Sequence, residues 1–170
     1  FLLTITPVSD PPTISVIPPQ TINEDTVVGP IGFVVGDPET PAGNLTLSGA
    51  SSNPSLIAPA NIQFGGGGAN RTVTITPVTN QFGTATITVT VSDGALIANA
   101  AFVVTVNPVN DDPQAYDDAF RVLGNTVHYL DLLANDTDPE EDALSITGVS
   151  DPPNGTTSIV TDSGHNYVSY

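Results

Sequence analysis

An all-β fold of tandem seven-stranded Greek-key β-sandwiches is predicted for this chain by three observations. Apolar residues alternate with threonine at period two, as in Thr84-Ala-Thr-Ile-Thr-Val-Thr-Val91. Sixteen prolines and fifteen glycines cut the chain into short runs, and no run has a helical period. A block of sequence also recurs: Phe1-Leu-Leu-Thr-Ile-Thr-Pro-Val-Ser-Asp10 matches Phe102-Val-Val-Thr-Val-Asn-Pro-Val-Asn-Asp111, a spacing of 101 residues. The same spacing carries Asp37-Pro38-Glu39 onto Asp138-Pro139-Glu140. A repeat of about one hundred residues is the size of one sandwich domain.

The repeat divides the chain. Residues 1–10 are expected to be the last strand and linker of a preceding repeat, and residues 11–109 a complete sandwich. Residues 110–113 are a linker, and 114–170 an incomplete next repeat with an open sheet edge. Strand addition by Phe1–Thr6 of another copy would suit such an edge. The absence of methionine suggests a piece of a longer protein.

Within the complete repeat the elements follow in order. A long kinked first strand is expected over 13–27, interrupted by Pro18-Pro19. Ile31-Gly-Phe-Val-Val35 and 44–49 are the next two, followed by a weak strand over 61–64. The Gly65–Gly68 run reads as a flexible turn; it lacks the lysine and helix of a phosphate cradle. Then come Arg71–Thr76, 84–92 and 100–107, each alternating so that one face is buried and the other wet.

Composition excludes several functions. Eighteen acidic residues face two basic ones, Arg71 and Arg121, for a net charge of −16. Nucleic acid is excluded as a partner, because phosphate binding needs lysine and arginine. Docking on anionic lipid is disfavoured, and no apolar stretch is long enough to insert in a membrane. Cysteine is absent, so there is no disulfide framework or thiolate metal site. His128 and His165 sit in no nucleophile motif, and ten aromatics without tryptophan do not predict a glycosidase cleft. The chain is not expected to be an enzyme.

The acids of the complete repeat avoid the strand bodies. Asp10 lies in the linker, Glu24 and Asp25 at the end of the first strand, Asp37 and Glu39 after the second, and Asp93 in the last hairpin. Later come Asn110-Asp111 and the run containing Asp136, Asp138 and Glu140. On a sandwich, Asp10, Asp37, Glu39 and Asp93 gather at the N-terminal pole. Glu24 and Asp25 run toward the next linker. Two carboxylates ~5 Å apart repel by about 3 kcal/mol at an effective dielectric near 20. With no lysine available, a hard divalent cation with six to eight oxygen ligands offsets that repulsion. Ligands from several loops suit Ca2+ better than Mg2+, and the lack of cysteine disfavours zinc.

The segments Pro108-Val-Asn-Asp-Asp-Pro113, Asn23-Glu-Asp-Thr26, Arg71-Thr-Val-Thr-Ile-Thr-Pro77, Val91-Ser-Asp-Gly94 and Leu133-Ala-Asn-Asp-Thr-Asp-Pro139 resemble the cadherin-like, Ig-like tandem repeats of large bacterial surface proteins. That resemblance covers essentially the whole chain. It implies an Ig-like sandwich, calcium at the interdomain junctions, and a role in adhesion or in a cell-surface fibre. It carries over Glu24, Asn110, Asp111, Asp136 and Asp138 as one site, with Asp10, Asp37, Glu39 and Asp93 as its equivalent one repeat earlier. Ser9 stands where the second linker has Asn110, which weakens the first site. The expected partners are neighbouring repeats of the same chain, copies in a fibre, or a cell-surface ligand. The competing function is a carbohydrate- or protein-binding module, or a spacer on a secreted enzyme.

Overall fold

The computed structural model describes residues 8–124 and 126–170, and the chain divides into two compact units, Phe1–Val109 and Asn110–Tyr170. The strand expected at the N-terminus falls outside the described residues, apart from 8–10, which form no regular element.

In the first unit the predicted strands are present, but the first one is divided. β1 (Thr13–Ile14) and β2 (Gln20–Asn23) flank Pro18-Pro19 and join different sheets. Proline donates no ladder hydrogen bond, so the chain leaves one sheet there and enters the other. The rest are β3 (Val28–Gly36), β4 (Thr46–Ser51), β5 (Ile62–Gly67), β6 (Asn70–Ile75), β7 (Gly83–Ser92) and β8 (Ile97–Asn107). One sheet has the order β1-β3-β6-β5 and the other β2-β8-β7-β4. β2 runs parallel to β8, with Gln20 opposite Val104, whereas the remaining pairs are antiparallel. This is an Ig-like β-sandwich with a first strand shared between sheets. The only helical pieces among the described residues are single 3₁₀ turns at Ala42–Asn44 and Pro59–Asn61.

Alternation decides the core. On β7, Ala85, Ile87, Val89 and Val91 are buried, and Thr84, Thr86, Thr88 and Thr90 point outward. Val73 and Ile75 of β6, Phe102, Val104 and Val106 of β8, and Phe33 and Val35 of β3 complete the layer between the sheets. Phe33 and Phe64 meet edge to face, with centroids 6.5 Å apart.

The glycine run corrects the expectation of a flexible turn. Gly65, Gly66 and Gly67 are paired strand residues of β5, opposite Thr72, Arg71 and Asn70; only Gly68 and Ala69 turn. Gly66 has φ +81°, and a Cβ there would sit 2.4 Å from the Asn70 carbonyl oxygen. Glycine allows both the positive φ and the close approach.

The second unit has β9 (Tyr129–Leu130), β10 (Ser158–Asp162) and β11 (His165–Ser169) in a sheet of order β10-β11-β9. Its hairpin turn, Ser163-Gly164, has φ of 52° and 85°, the positive values that a two-residue hairpin needs. His165 is the first residue of β11. Gln114 and Thr137 form an isolated bridge. The order β9-β11-β10 repeats β3-β6-β5 of the first unit, as expected of a second copy of one fold.

Candidate metal site

The two units build the same arrangement of acids from equivalent positions. In the first, Asp37 follows β3 and its Oδ1 accepts the amides of Glu39 (2.9 Å) and Thr40 (2.6 Å). This turn aims Glu39 back at the linker, where its Oε2 accepts the amide of Asp10 at 3.2 Å. In the second, Asp138 Oδ1 accepts the amides of Glu140 (3.0 Å) and Asp142 (3.1 Å). Glu140 Oε2 accepts the amide of Asp111 at 2.8 Å. An Asp-Pro-Glu turn that spends one oxygen on its own backbone thus holds the linker in each repeat.

The remaining oxygens carry the chemistry. Asp37 Oδ2, Asp111 Oδ2 and Glu140 Oε1 are buried with no hydrogen-bond partner. Buried carboxylate oxygens without donors are costly and rarely tolerated. Among the described residues no arginine pairs with a carboxylate, and Arg71 instead donates to the carbonyls of Ala42 and Leu45. Oxygens of this kind, charged, buried and without a donor, fit a hard divalent cation.

Each residue expected at a metal site has a definite place. Asp93 lies in the β7–β8 hairpin. Its Oδ1 accepts the amides of Ala95 (2.6 Å) and Leu96 (2.7 Å), and Oδ2 faces Ser9 Oγ at 3.4 Å. The Leu96 amide and then the Ala95 amide hold its carboxyl below the ordinary 3.8. Asp10, Asp37, Glu39 and Asp93 are thereby linked to the 9–10 segment. In the second unit, Asn110, Asp111, Asp136, Asp138 and Asp142 line a cavity of about 440 Å³. Asp136 Oδ1 accepts the amide of Tyr116 at 2.8 Å, and the Asn110 side-chain amide donates to the Asp111 carbonyl at 3.1 Å.

Glu24 follows β2 and is the single buried charged residue among those described, 3 % exposed. Its Oε1 accepts the amide of Val109 at 2.7 Å, and Oε2 has no partner. Asp25, the next residue, lies beside it in sequence and has a partner of its own. It adopts φ 57°, and its Oδ1 accepts the amide of Asn80 at 3.1 Å, so it fastens the β6–β7 loop. Asp142 was not singled out by the sequence; its place four residues after Asp138 was the available signal.

Both histidines have defined hydrogen-bond partners. His128 Nε2 lies 2.7 Å from Thr126 Oγ1 and 2.9 Å from the Leu123 carbonyl. His165 Nε2 lies 3.0 Å from Asp131 Oδ1, and that hydrogen bond holds the Asp131 carboxyl below 3.8, aided by the Leu133 amide and opposed by burial. A lowered folded-state value means that the contribution is present above the unfolded value and is lost as pH falls through the folded one. NMR titration is expected to place Asp131 below 3.8, and His165→Ala is expected to move it up. An unchanged midpoint in the variant would refute the assignment.

A family model described as "Bacterial Ig domain" matches residues 9–107 and 110–170. The chain belongs to the bacterial Ig domain family. Its two matched segments are two copies of that domain, and domains of this family are usually non-catalytic. No curated protein matches the chain. Among solved structures, the titin I-band fragment I67–I69 is similar at 11% identity and TM-score 0.46, over 95% of this chain and 56% of that one. The titin M10–obscurin-like 1 Ig complex matches at 20% identity and TM-score 0.43, over 58% of this chain and 96% of that one. An endo-fucoidan hydrolase of glycoside hydrolase family 107 matches at 20% identity and TM-score 0.45, over 98% of this chain and 25% of that one. No helix of the described residues is long and apolar enough to cross a membrane.

Proposed function

We propose that this bacterial Ig chain is a structural or adhesive segment of an extracellular stalk or fibre, and that calcium rigidifies the joints between its repeats. The observation that carries the reading is the duplicated Asp-Pro-Glu turn, which in each unit leaves buried carboxylate oxygens without donors. The ligands at the second joint would be Glu24, Asn110, Asp111, Asp136, Asp138 and Glu140. Asp10, Asp37, Glu39 and Asp93 would serve the first.

Covalent geometry supports joining Glu24 to that set. Glu24 holds the amide of Val109, and Glu140 holds that of Asp111. Two residues of chain reach at most about 7 Å, so the linker tethers those two amides however the units are turned. When bound, the cation supplies the positive charge that these loops lack. The chain's own part is to fix the linker amides and to present oxygens from separate loops, so that bending a joint would separate ligands of one ion. A semi-rigid rod follows. The first joint, with Ser9 in place of Asn110, would bind more weakly.

Small-angle scattering of the 1–170 chain in calcium and in chelator tests this. A longer maximum dimension and a narrower distribution of shapes are expected in calcium. Identical profiles in both buffers would overturn the reading.

A further inference from the structure

We propose that the outward face of the β10-β11-β9 sheet is a binding site for a neutral saccharide, independent of calcium. Strand register defines the face. Asp162 pairs with His165, Val160 with Tyr167 and Ser158 with Ser169, which in turn pairs with Tyr129. Side chains alternate, so Tyr129, His165, Tyr167, Val160 and Asp162 share one face. Leu130, Val168 and Ile159 share the other, and Val168 at 4 % exposed marks that side as inward.

The outward face is therefore aromatic where water is expected. Tyr129 is 65 % exposed. The His165 and Tyr167 rings are in contact, with centroids 4.7 Å apart and planes tilted by 53°. Tyr129, Val160, Asp162 and Tyr167 line a cavity of about 510 Å³. Tyr129 lies one diagonal step from Tyr167, a separation of roughly 7–8 Å between backbones. Two tyrosines thus stand side by side on one face of the sheet.

The chemistry selects the ligand class. Aromatic planes pack against the C–H faces of a pyranose, and their hydroxyls remain free for the sugar's own. Asp162 at the rim, and Asp131 held by His165 Nε2 at 3.0 Å, accept hydrogen bonds from sugar hydroxyls as carboxylates. Arg121 is the one basic side chain of this unit besides histidine, so uronate or sulfated sugars meet repulsion and neutral ones do not. A protein partner is disfavoured because Ser158, Ser169 and the two carboxylates interrupt the apolar surface that an interface core needs.

The test is binding of the 1–170 chain to an array of neutral, uronate and sulfated oligosaccharides, in calcium and in chelator. Calorimetry with the best neutral ligand follows. Neutral ligands are expected to bind equally in both buffers. Affinity is expected to fall at least tenfold in Tyr129→Ala and Tyr167→Ala and to be kept in Tyr129→Phe. Tyr129 is largely exposed, so its alanine variant stays informative if Tyr167→Ala fails to fold. Binding to no neutral ligand, binding to anionic ligands alone, self-association through this face, or an unaltered affinity in Tyr129→Ala would each overturn the proposal. Loss of binding in chelator would remove its independence from the metal site.

Discussion

In calcium, the chain is expected to melt well above its melting temperature in chelator. A site of the extracellular class has a dissociation constant of about 10⁻⁴ M. At roughly 10 mM calcium, a hundredfold excess over that constant, binding to the folded state alone adds about 2.7 kcal/mol. For a domain of this size that is a rise of ~10–20 °C. Glu140→Gln is the discriminating variant. Its amide oxygen can still accept the Asp111 amide, but the charge at the buried Oε1 position is gone. It is expected to lose most of the calcium-dependent rise and keep only the smaller part owed to the weaker first joint, whereas magnesium in place of calcium is expected to give the native chain only a small rise. Thermal scans by circular dichroism check all three. A native chain that melts identically with and without calcium would overturn the calcium reading and leave the fold untouched.

Ile87→Ala is expected to cost about 2–5 kcal/mol. Ile87 is fully buried on β7, opposite Ser51 of β4 and Phe102 of β8, at the centre of the layer between the sheets. Truncation removes apolar contact and leaves a cavity that two hydrogen-bonded sheets cannot close. Against a typical total of ~5–15 kcal/mol for a domain, that is a large fraction. Ile97→Ala, on the neighbouring β8 but 58 % exposed, is expected to stay within ~0.5 kcal/mol. Urea unfolding of both variants measures the difference, and equal losses would contradict the assignment of the core.

Much of the fold was legible because a half-buried strand writes its own period. Thr84–Val91 shows which side chains face inward before any partner is known, and the recurrence of Phe1–Asp10 at Phe102–Asp111 shows two copies of one unit. The division of the first strand was half legible. Pro18-Pro19 marks the break, but β2 joins β8 through a register set by residues more than eighty positions away. The glycine run misled for a related reason. Glycine has no strand preference of its own, and β6 supplied the pairing that makes Gly65–Gly67 a strand.

The acids divide along the same line. Sequence alone determined that this chain is an acidic all-β repeat protein whose complete repeat keeps its carboxylates out of the strand bodies, because charge and alternation are local properties of the chain. Only the tertiary structure decided which oxygens are already spent. Asp25 Oδ1 is committed to Asn80, Asp138 Oδ1 to its own turn, and Glu24 Oε1 to Val109, while Oε2 of Glu24 is left without a donor. A carboxylate's partners are chosen by whichever amides the fold brings within about 3 Å, and no spacing along the chain encodes that.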